Sequence, residues 1–144
     1  YITAECALDV AMPYLTVTLR RCPVLILGWG RIGKCLGQLL KALGADVTIT
    51  ARKETDRASI KMLGYAPAQF GTDLSPYRLI LNTIPAPVLN RDHMSQCHED
   101  CVKIDLASIP GMEDDDVIHA RGLPGIHVPE SSGKLIAETL IKLL

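Results

Sequence analysis

The feature that most narrows what this chain can become is Gly28-Trp29-Gly30-Arg31-Ile32-Gly33, three glycines at fixed spacing between two segments of opposite character. Before it runs Pro23-Val24-Leu25-Ile26-Leu27, wholly apolar and bounded by turn residues, the pattern of a parallel strand buried on both faces. After it, Ile32, Leu36, Leu39, Leu40 and Leu43 recur at helical spacing until Gly44 ends the run. Strand, glycine loop and helix in that order are the context in which G-x-G-x-x-G carries meaning. Gly28 permits a tight turn, Gly30 lets the backbone approach a pyrophosphate, and Gly33 lets helix and strand pack closely. The start of the helix then offers unpaired N–H groups and a positive dipole end to the anion. The competing reading is a strand–turn–helix whose glycines serve packing alone.

The rest of the chain repeats the alternation. Ala4, Ala7, Leu8 and Ala11 share one face of an opening helix over about Thr3–Met12, with Thr3 as its cap and a break at Pro13. Val47-Thr48-Ile49-Thr50 reads as a second strand, and Thr55 caps a helix running to Leu63. A weak strand near Tyr65–Ala68 and a turn at Ser75-Pro76 follow. Leu79-Ile80-Leu81, Cys101 to Leu106 and Val117 to His119 are further strands, and a last helix begins near Glu130. Such alternation predicts a parallel sheet with right-handed crossovers, an α/β fold of Rossmann type, doubly wound in three αβα layers. With 144 residues there is chain for one domain with a real core. Residues 1–20 are expected to form an interdomain helix and linker, and residues 21–144 an NAD(P)-binding domain. The opening at Tyr1 rather than Met is taken as the sign of an excised piece of a longer polypeptide.

The end of the second strand bears on which dinucleotide is read. Sites for NAD place Asp or Glu there to accept from the ribose 2′-OH, and such a carboxylate repels the 2′-phosphate of NADP. Counted from Gly28, that position is Ala51, followed by Arg52 and Lys53. The planar fork of Arg52 suits a phosphate and can stack on adenine, so NADP is expected over NAD. Glu54 stands one residue further on, where a slip of register would bring a carboxylate near the ribose. The alternative reading makes Arg52 and Lys53 solvated charges after a strand.

Ligands of open parallel sheets lie outside the carboxyl ends of the strands. Three more segments end there: Asn82-Thr83-Ile84-Pro85, Asp105-Leu106-Ala107-Ser108 and the glycine-flexible loop Gly122-Leu123-Pro124-Gly125. The cofactor-contacting residues expected among them are Asn82, Thr83, Ile84, Pro85, Leu106, Ala107, Pro124 and Gly125. No catalytic pair is legible. Asp105 suits a turn cap as well as a ligand contact, Ser108 a turn, and His127 a structural role more than a chemical one. His93, Cys97, His98 and Cys101 fall within nine residues, but in no common zinc-finger spacing, so no metal site is expected.

Composition excludes several classes. A chain 48% hydrophobic and 22% charged is not a disordered one. A net charge of −1 gives no field for nucleic acid. No apolar run approaches the ~20 residues of a membrane span. Five cysteines, an odd number scattered through core elements, fit a reducing cytoplasm better than a disulfide framework.

These blocks, taken together, resemble the carboxyl-terminal, cofactor-binding domain of the A-type subunit of dipicolinate synthases. The resemblance covers nearly the whole chain. Thr3-Ala4-Glu5, Gly28 to Gly33, Ala51-Arg52, Asn82-Thr83-Ile84-Pro85, Ile104-Asp105-Leu106-Ala107-Ser108, Pro110-Gly111, Gly122 to Ile126, Pro129 and Ser132-Gly133-Lys134 carry it. It implies oxidation of a dihydrodipicolinate to pyridine-2,6-dicarboxylate with NADP as hydride acceptor, in the mother-cell cytoplasm of a spore-forming bacterium. It also implies an amino-terminal substrate domain absent from this chain and a partner, the flavoprotein-like B-type subunit of dipicolinate synthase. A homo-oligomer is compatible with it. Trp29 departs from the pattern, standing where the family has a smaller aliphatic residue. Two other readings stay open: a non-catalytic dinucleotide-sensing module, and a shikimate- or 2-hydroxy-acid-type dehydrogenase domain with its acid–base residues elsewhere.

Overall fold

In a computed structural model describing residues 1–144, six strands form one wholly parallel sheet. The elements in chain order are α1 (Ile2–Ala11), β1 (Pro23–Leu27), α2 (Arg31–Ala42), β2 (Asp46–Thr50), α3 (Glu54–Met62) and β3 (Ala66–Ala68), then β4 (Leu79–Asn82), α4 (Arg91–Met94), β5 (Val102–Asp105), β6 (Ile118–His119), α5 (Leu123–His127) and α6 (Pro129–Leu143). Their order across the sheet is β3-β2-β1-β4-β5-β6. The chain therefore runs outward from β1 to one edge, returns, and runs outward from β4 to the other. The expected doubly wound Rossmann architecture is present, and its switch point is the β1/β4 pair, where ligands of such sheets bind.

Strand alternation divides the core in two. Val24 and Ile26 of β1, Leu79 and Leu81 of β4, and Val102 and Ile104 of β5 face Leu36 and Leu40 of α2, Ile60 of α3 and the alanine face of α1. Leu25, Leu27 and Ile80 face the other way, onto Leu74, Tyr77, Leu89, Met94, Met112 and Val117. That second layer is built mostly of connecting segments, with α4 its single short helix. Proline is confined to places where a missing N–H costs little: Pro23 opens β1 and Pro67 lies in the edge strand β3.

Several local expectations are corrected. Thr3 and Thr55 cap nothing: each lies inside its helix, and the N-cap positions are Tyr1 and Lys53, neither with a side-chain cap bond. Pro13 does not simply break the chain but seats a 3-10 turn at Met12–Tyr14. Gly122-Leu123-Pro124-Gly125 is not a flexible loop. Gly122 adopts φ +62 and α5 starts immediately after it, with Pro124 in the first turn, where a missing N–H would be unpaired anyway.

The short α4 has no counterpart in the sequence pattern. Asn90 caps it by accepting from the His93 amide at 2.9 Å, while His93 Nδ1 accepts from the Asn90 amide at 3.4 Å. No helix is long and apolar enough to cross a membrane.

Candidate dinucleotide site

The three glycines of the loop do different work. Gly28 adopts φ +107, and a Cβ there would stand 2.6 Å from Thr83 Oγ1 and 2.9 Å from Ile84 Cγ1. Its amide donates to Thr50 Oγ1 at 3.3 Å, and the Thr83 hydroxyl donates to the Leu27 carbonyl at 2.7 Å. The turn is thereby fastened to the ends of both neighbouring strands, and the Gly28 amide faces inward. At Gly33 a Cβ would overlap the Gly28 carbonyl oxygen, so only glycine lets α2 start this close to β1. Gly30 is the contrast. It sits at φ −84 and ψ −167, open to any residue, and a Cβ there would meet no protein atom within 4 Å. Nothing in the fold requires glycine at this position; bare backbone facing open space is what a closely held anion requires.

Gly30 is also the N-cap of α2, with no side chain bonded to the helix start. The amides of Arg31, Ile32 and Gly33 head the helix with no preceding turn to accept from them. Over a twelve-residue helix the aligned peptides place a partial positive charge at that end. Two clefts meet at Gly30 and Thr83. One, of about 400 Å³, is bordered by Tyr1, Gly30, Arg31, Ile32 and Thr83. The other, of about 320 Å³, is bordered by Gly28, Trp29, Thr50, Ala51, Arg52, Asp56, Phe70, Ile84 and Pro85 as well. The bare backbone of Gly30, at the head of α2, lies where the two clefts meet.

In the second cleft the Arg52 guanidinium lies over the Phe70 ring, 5.9 Å from its centre, a cation–π contact at the cleft wall. Arg57, one turn into α3, donates to the carbonyls of Ala51 at 2.8 Å and Arg52 at 2.6 Å, holding the β2–α3 turn in shape. Asp56 brings a carboxylate to the same cleft from the first turn of α3. Trp29 turns its indole onto Tyr65, with ring centres 6.0 Å apart, and lies 5.4 Å from the Lys34 ammonium, so its bulk packs along α2 instead of filling the turn.

The remaining expected contacts fall differently. Lys53, Leu106, Ala107, Pro124 and Gly125 border neither cleft. Asn82 is fully buried and its amide is engaged internally: Oδ1 accepts from the Ile84 amide at 3.0 Å, and Nδ2 donates to the Ile84 carbonyl at 3.1 Å and to Asp105 at 3.0 Å. Asp105, 1% exposed, accepts from Asn82, from the Ala107 amide at 3.1 Å, and from the amides of Gly111 and Met112 at 2.7 and 3.2 Å. This pair shapes the loops at the sheet edge and has no side-chain atom free for a ligand. His127 is tied to Asp9 of α1 at 2.8 Å. His98 Nδ1 accepts from the Asp100 amide at 3.0 Å, and no three metal-ligating side chains converge anywhere in the chain.

Thr50, Asp56, Arg57 and Phe70 join the site without having been marked by the motifs. Phe70 has a usable signal, being the one phenylalanine in the chain and placed just past a strand's carboxyl end. Asp56 and Arg57 become readable only once the helix register is fixed.

Residues 8–120 match the family described as D-isomer specific 2-hydroxyacid dehydrogenase, NAD binding domain. The A-type subunit of dipicolinate synthase from Bacillus subtilis (strain 168) is 33% identical over 155 residues, covering 99% of this chain and 52% of that protein. Among solved structures, the A-type subunit of dipicolinate synthase from Bacillus halodurans superposes with a TM-score of 0.91 at 31% identity, covering 99% of this chain and 53% of that one. The A chain of the Bacillus subtilis enzyme gives 0.92 at 31%, with 99% and 51% covered. A transhydrogenase from Sinorhizobium meliloti shares the fold, with a TM-score of 0.83 at 18% identity and 99% and 52% covered. The chain thus spans about half the length of these relatives, and the resemblance drawn from its motifs is borne out.

Proposed function

This chain belongs to the D-isomer specific 2-hydroxyacid dehydrogenase, NAD-binding domain family, and from that premise we propose that it is the cofactor-binding half of a dipicolinate synthase that oxidises dihydrodipicolinate with NADP. The observation that carries the reading is Gly30, bare where the fold does not need it to be, at the head of α2 and between two clefts. When bound, the dinucleotide supplies the hydride acceptor. The chain's own residues bind and orient it: helix-start amides and Arg31 at the diphosphate, Arg52 and Phe70 about the adenine, Thr83 and Tyr1 along the other half. Aromatisation of the dihydropyridine ring provides driving force, so strong acid–base catalysis is not needed from this half. With Asn82 and Asp105 engaged internally, groups to receive the substrate's two carboxylates come from an amino-terminal domain. Residues 1–20 then serve as the interdomain helix and linker. The partner is the flavoprotein-like B-type subunit, in the cytoplasm of a sporulating mother cell.

NADP is preferred because Arg52, Lys53 and Arg57 surround the end of β2 while the position expected to hold an acid is Ala51. Asp56 favours a second reading, NAD, since its carboxylate borders the same cleft and suits a ribose hydroxyl better than a phosphate.

Titration with both dinucleotides decides between them. Arg52→Asp is expected to weaken NADP by about 2 kcal/mol, since a charge-assisted contact becomes a repulsion, and to weaken NAD by less, through the lost contact with the adenine alone. Equal losses for both would contradict the assignment of Arg52 to the 2′-phosphate. The chain by itself is expected to bind without turnover; sustained dihydrodipicolinate oxidation in the absence of any other domain would overturn the division of labour.

A further inference from the structure

A third cleft has no part in the function above. At about 560 Å³ it is larger than either half of the dinucleotide site and within the size range of small-molecule pockets. It is a groove between α2 and α3, which lie over the same face of the sheet with Leu36, Leu40 and Ile60 turned into the first core layer. Residues one turn apart share a helix face. Lys34 and Gln38 of α2 therefore form one wall, and Asp56 and Ser59 of α3, with Leu63 just past its end, form the other. The floor is aromatic: Trp29 from the glycine loop and Tyr65 from the turn before β3, ring centres 6.0 Å apart and planes at 64°. Gly37 makes room for that floor, since a Cβ there would stand 3.4 Å from the Tyr65 ring.

Each wall carries one charge. The Lys34 ammonium and the Asp56 carboxylate form no ion pair, with each other or with any other residue. Lys34 rests instead 5.4 Å from the centre of the Trp29 ring. The Ser59 hydroxyl is engaged, donating to the Thr55 carbonyl at 3.1 Å. The groove thus presents a cation and an anion that do not meet, above two rings partly open to solvent. A ligand that answers all three features carries a carboxylate and an ammonium side by side and a flat apolar body. A dianion would be repelled by Asp56, a dication by Lys34, and a neutral ring would leave both charges unanswered.

We propose that the groove between α2 and α3 binds a free α-amino acid with an aromatic side chain. Its carboxylate pairs with Lys34, its ammonium with Asp56, and its ring lies on Trp29 and Tyr65 with Leu63 at the edge. Gln38, one turn after Lys34, offers its amide to the same carboxylate. Trp29 and Asp56 also border the cleft that holds Arg52 and Phe70, so the bound amino acid shares a wall with that half of the dinucleotide site.

The test titrates L-phenylalanine into the folded chain without dinucleotide, followed by calorimetry and by the emission of Trp29, the one tryptophan. Saturable binding with a change in emission is expected. Three analogues each remove one feature: 3-phenylpropionate the ammonium, phenethylamine the carboxylate, L-alanine the ring. Each is expected to bind at least about tenfold more weakly, the scale of losing one charged hydrogen-bond partner or one aromatic contact with its buried area. Lys34 is exposed, so Lys34→Ala should keep its unfolding midpoint, and its affinity for L-phenylalanine should fall to that of the wild type for phenethylamine. No saturable binding of L-phenylalanine, equal binding of any of the three analogues, or full affinity in Lys34→Ala would overturn the proposal. Lys34 borders neither dinucleotide cleft, and no dinucleotide is present, so the outcome stands apart from the cofactor assignment.

Discussion

Gly33→Ala is expected to lose dinucleotide binding and to lower stability by about 1–3 kcal/mol, the range for forcing a methyl group into a filled space. The added carbon would overlap the Gly28 carbonyl oxygen, which is backbone and cannot swing aside as a side-chain tip could. Either the glycine turn moves or α2 retreats from β1. If the turn moves, it pulls on Thr50 and Thr83, which hold it to β2 and β4. If α2 retreats, Leu36 and Leu40 loosen from the first core layer, and the helix-start amides leave the place proposed for the diphosphate. Both routes damage folding and binding together. Urea denaturation and NADP titration of the same preparation check this: a falling midpoint with no saturable binding is the expected pair. An unchanged midpoint and affinity would mean that α2 and β1 are not in the contact described.

Asp105→Ala is expected to cost still more, about 3–5 kcal/mol, since several buried donors lose their acceptor at once and each costs about 1–3 kcal/mol when left unpaired. Four donors converge on that carboxylate: the amides of Ala107, Gly111 and Met112 and the side chain of Asn82. Alanine would leave them without an acceptor in a site water does not reach, and buried unpaired donors are each costly. The damage should spread, because Asn82 orders Ile84 through both its amide atoms, and Ile84 and Pro85 border the cleft assigned to adenosine. Thermal unfolding should show a large drop in midpoint, and amide exchange at Gly111 and Met112 should become fast. Asp105→Asn, which keeps an acceptor but turns an N–H toward donors, should fall between. A wild-type midpoint for the alanine variant would show that the carboxylate does not hold the edge loops.

Asn82 and Asp105 also mark where reading the residues alone stops. Strands buried on both faces announce themselves by unbroken apolar runs, so β1 and β4 are legible, and the glycine spacing fixes the loop and helix after β1. A polar residue at a strand end carries no such signal. Its type is equally suited to meeting a ligand or to tying loops together, and only the positions of its neighbours decide; here they turn Asn82 inward.

The helix starts mislead for a related reason. Thr3 and Thr55 are good caps by type, but both lie inside their helices, and ahead of α3 it is Lys53, at φ −76 and ψ 136, where the backbone leaves helical angles. Pro124 reads as a loop residue, although proline in a first turn is equally a start signal, and Gly122 in the left-handed region supplies the stop that lets α5 begin. Cofactor preference is only half legible. Ala51 and Arg52 can be counted off from Gly28, whereas Asp56 and Arg57 reach the same place from a helix whose register the sequence leaves open.

Trp29 is the only tryptophan in the chain; its backbone lies in the glycine loop and its indole packs on Tyr65 and Lys34, so its emission reports on the loop together with that side of α2. Titrating NADP into the wild-type chain and into Gly30→Ala, by emission and by calorimetry, asks whether bare backbone at the head of α2 grips a diphosphate. Saturable binding by the wild type is predicted. The alanine variant, with an unchanged unfolding midpoint, should bind more weakly by about 1.4 kcal/mol or more, a tenfold loss. No binding of either NADP or NAD to the folded wild-type chain, or full affinity in Gly30→Ala, would contradict it.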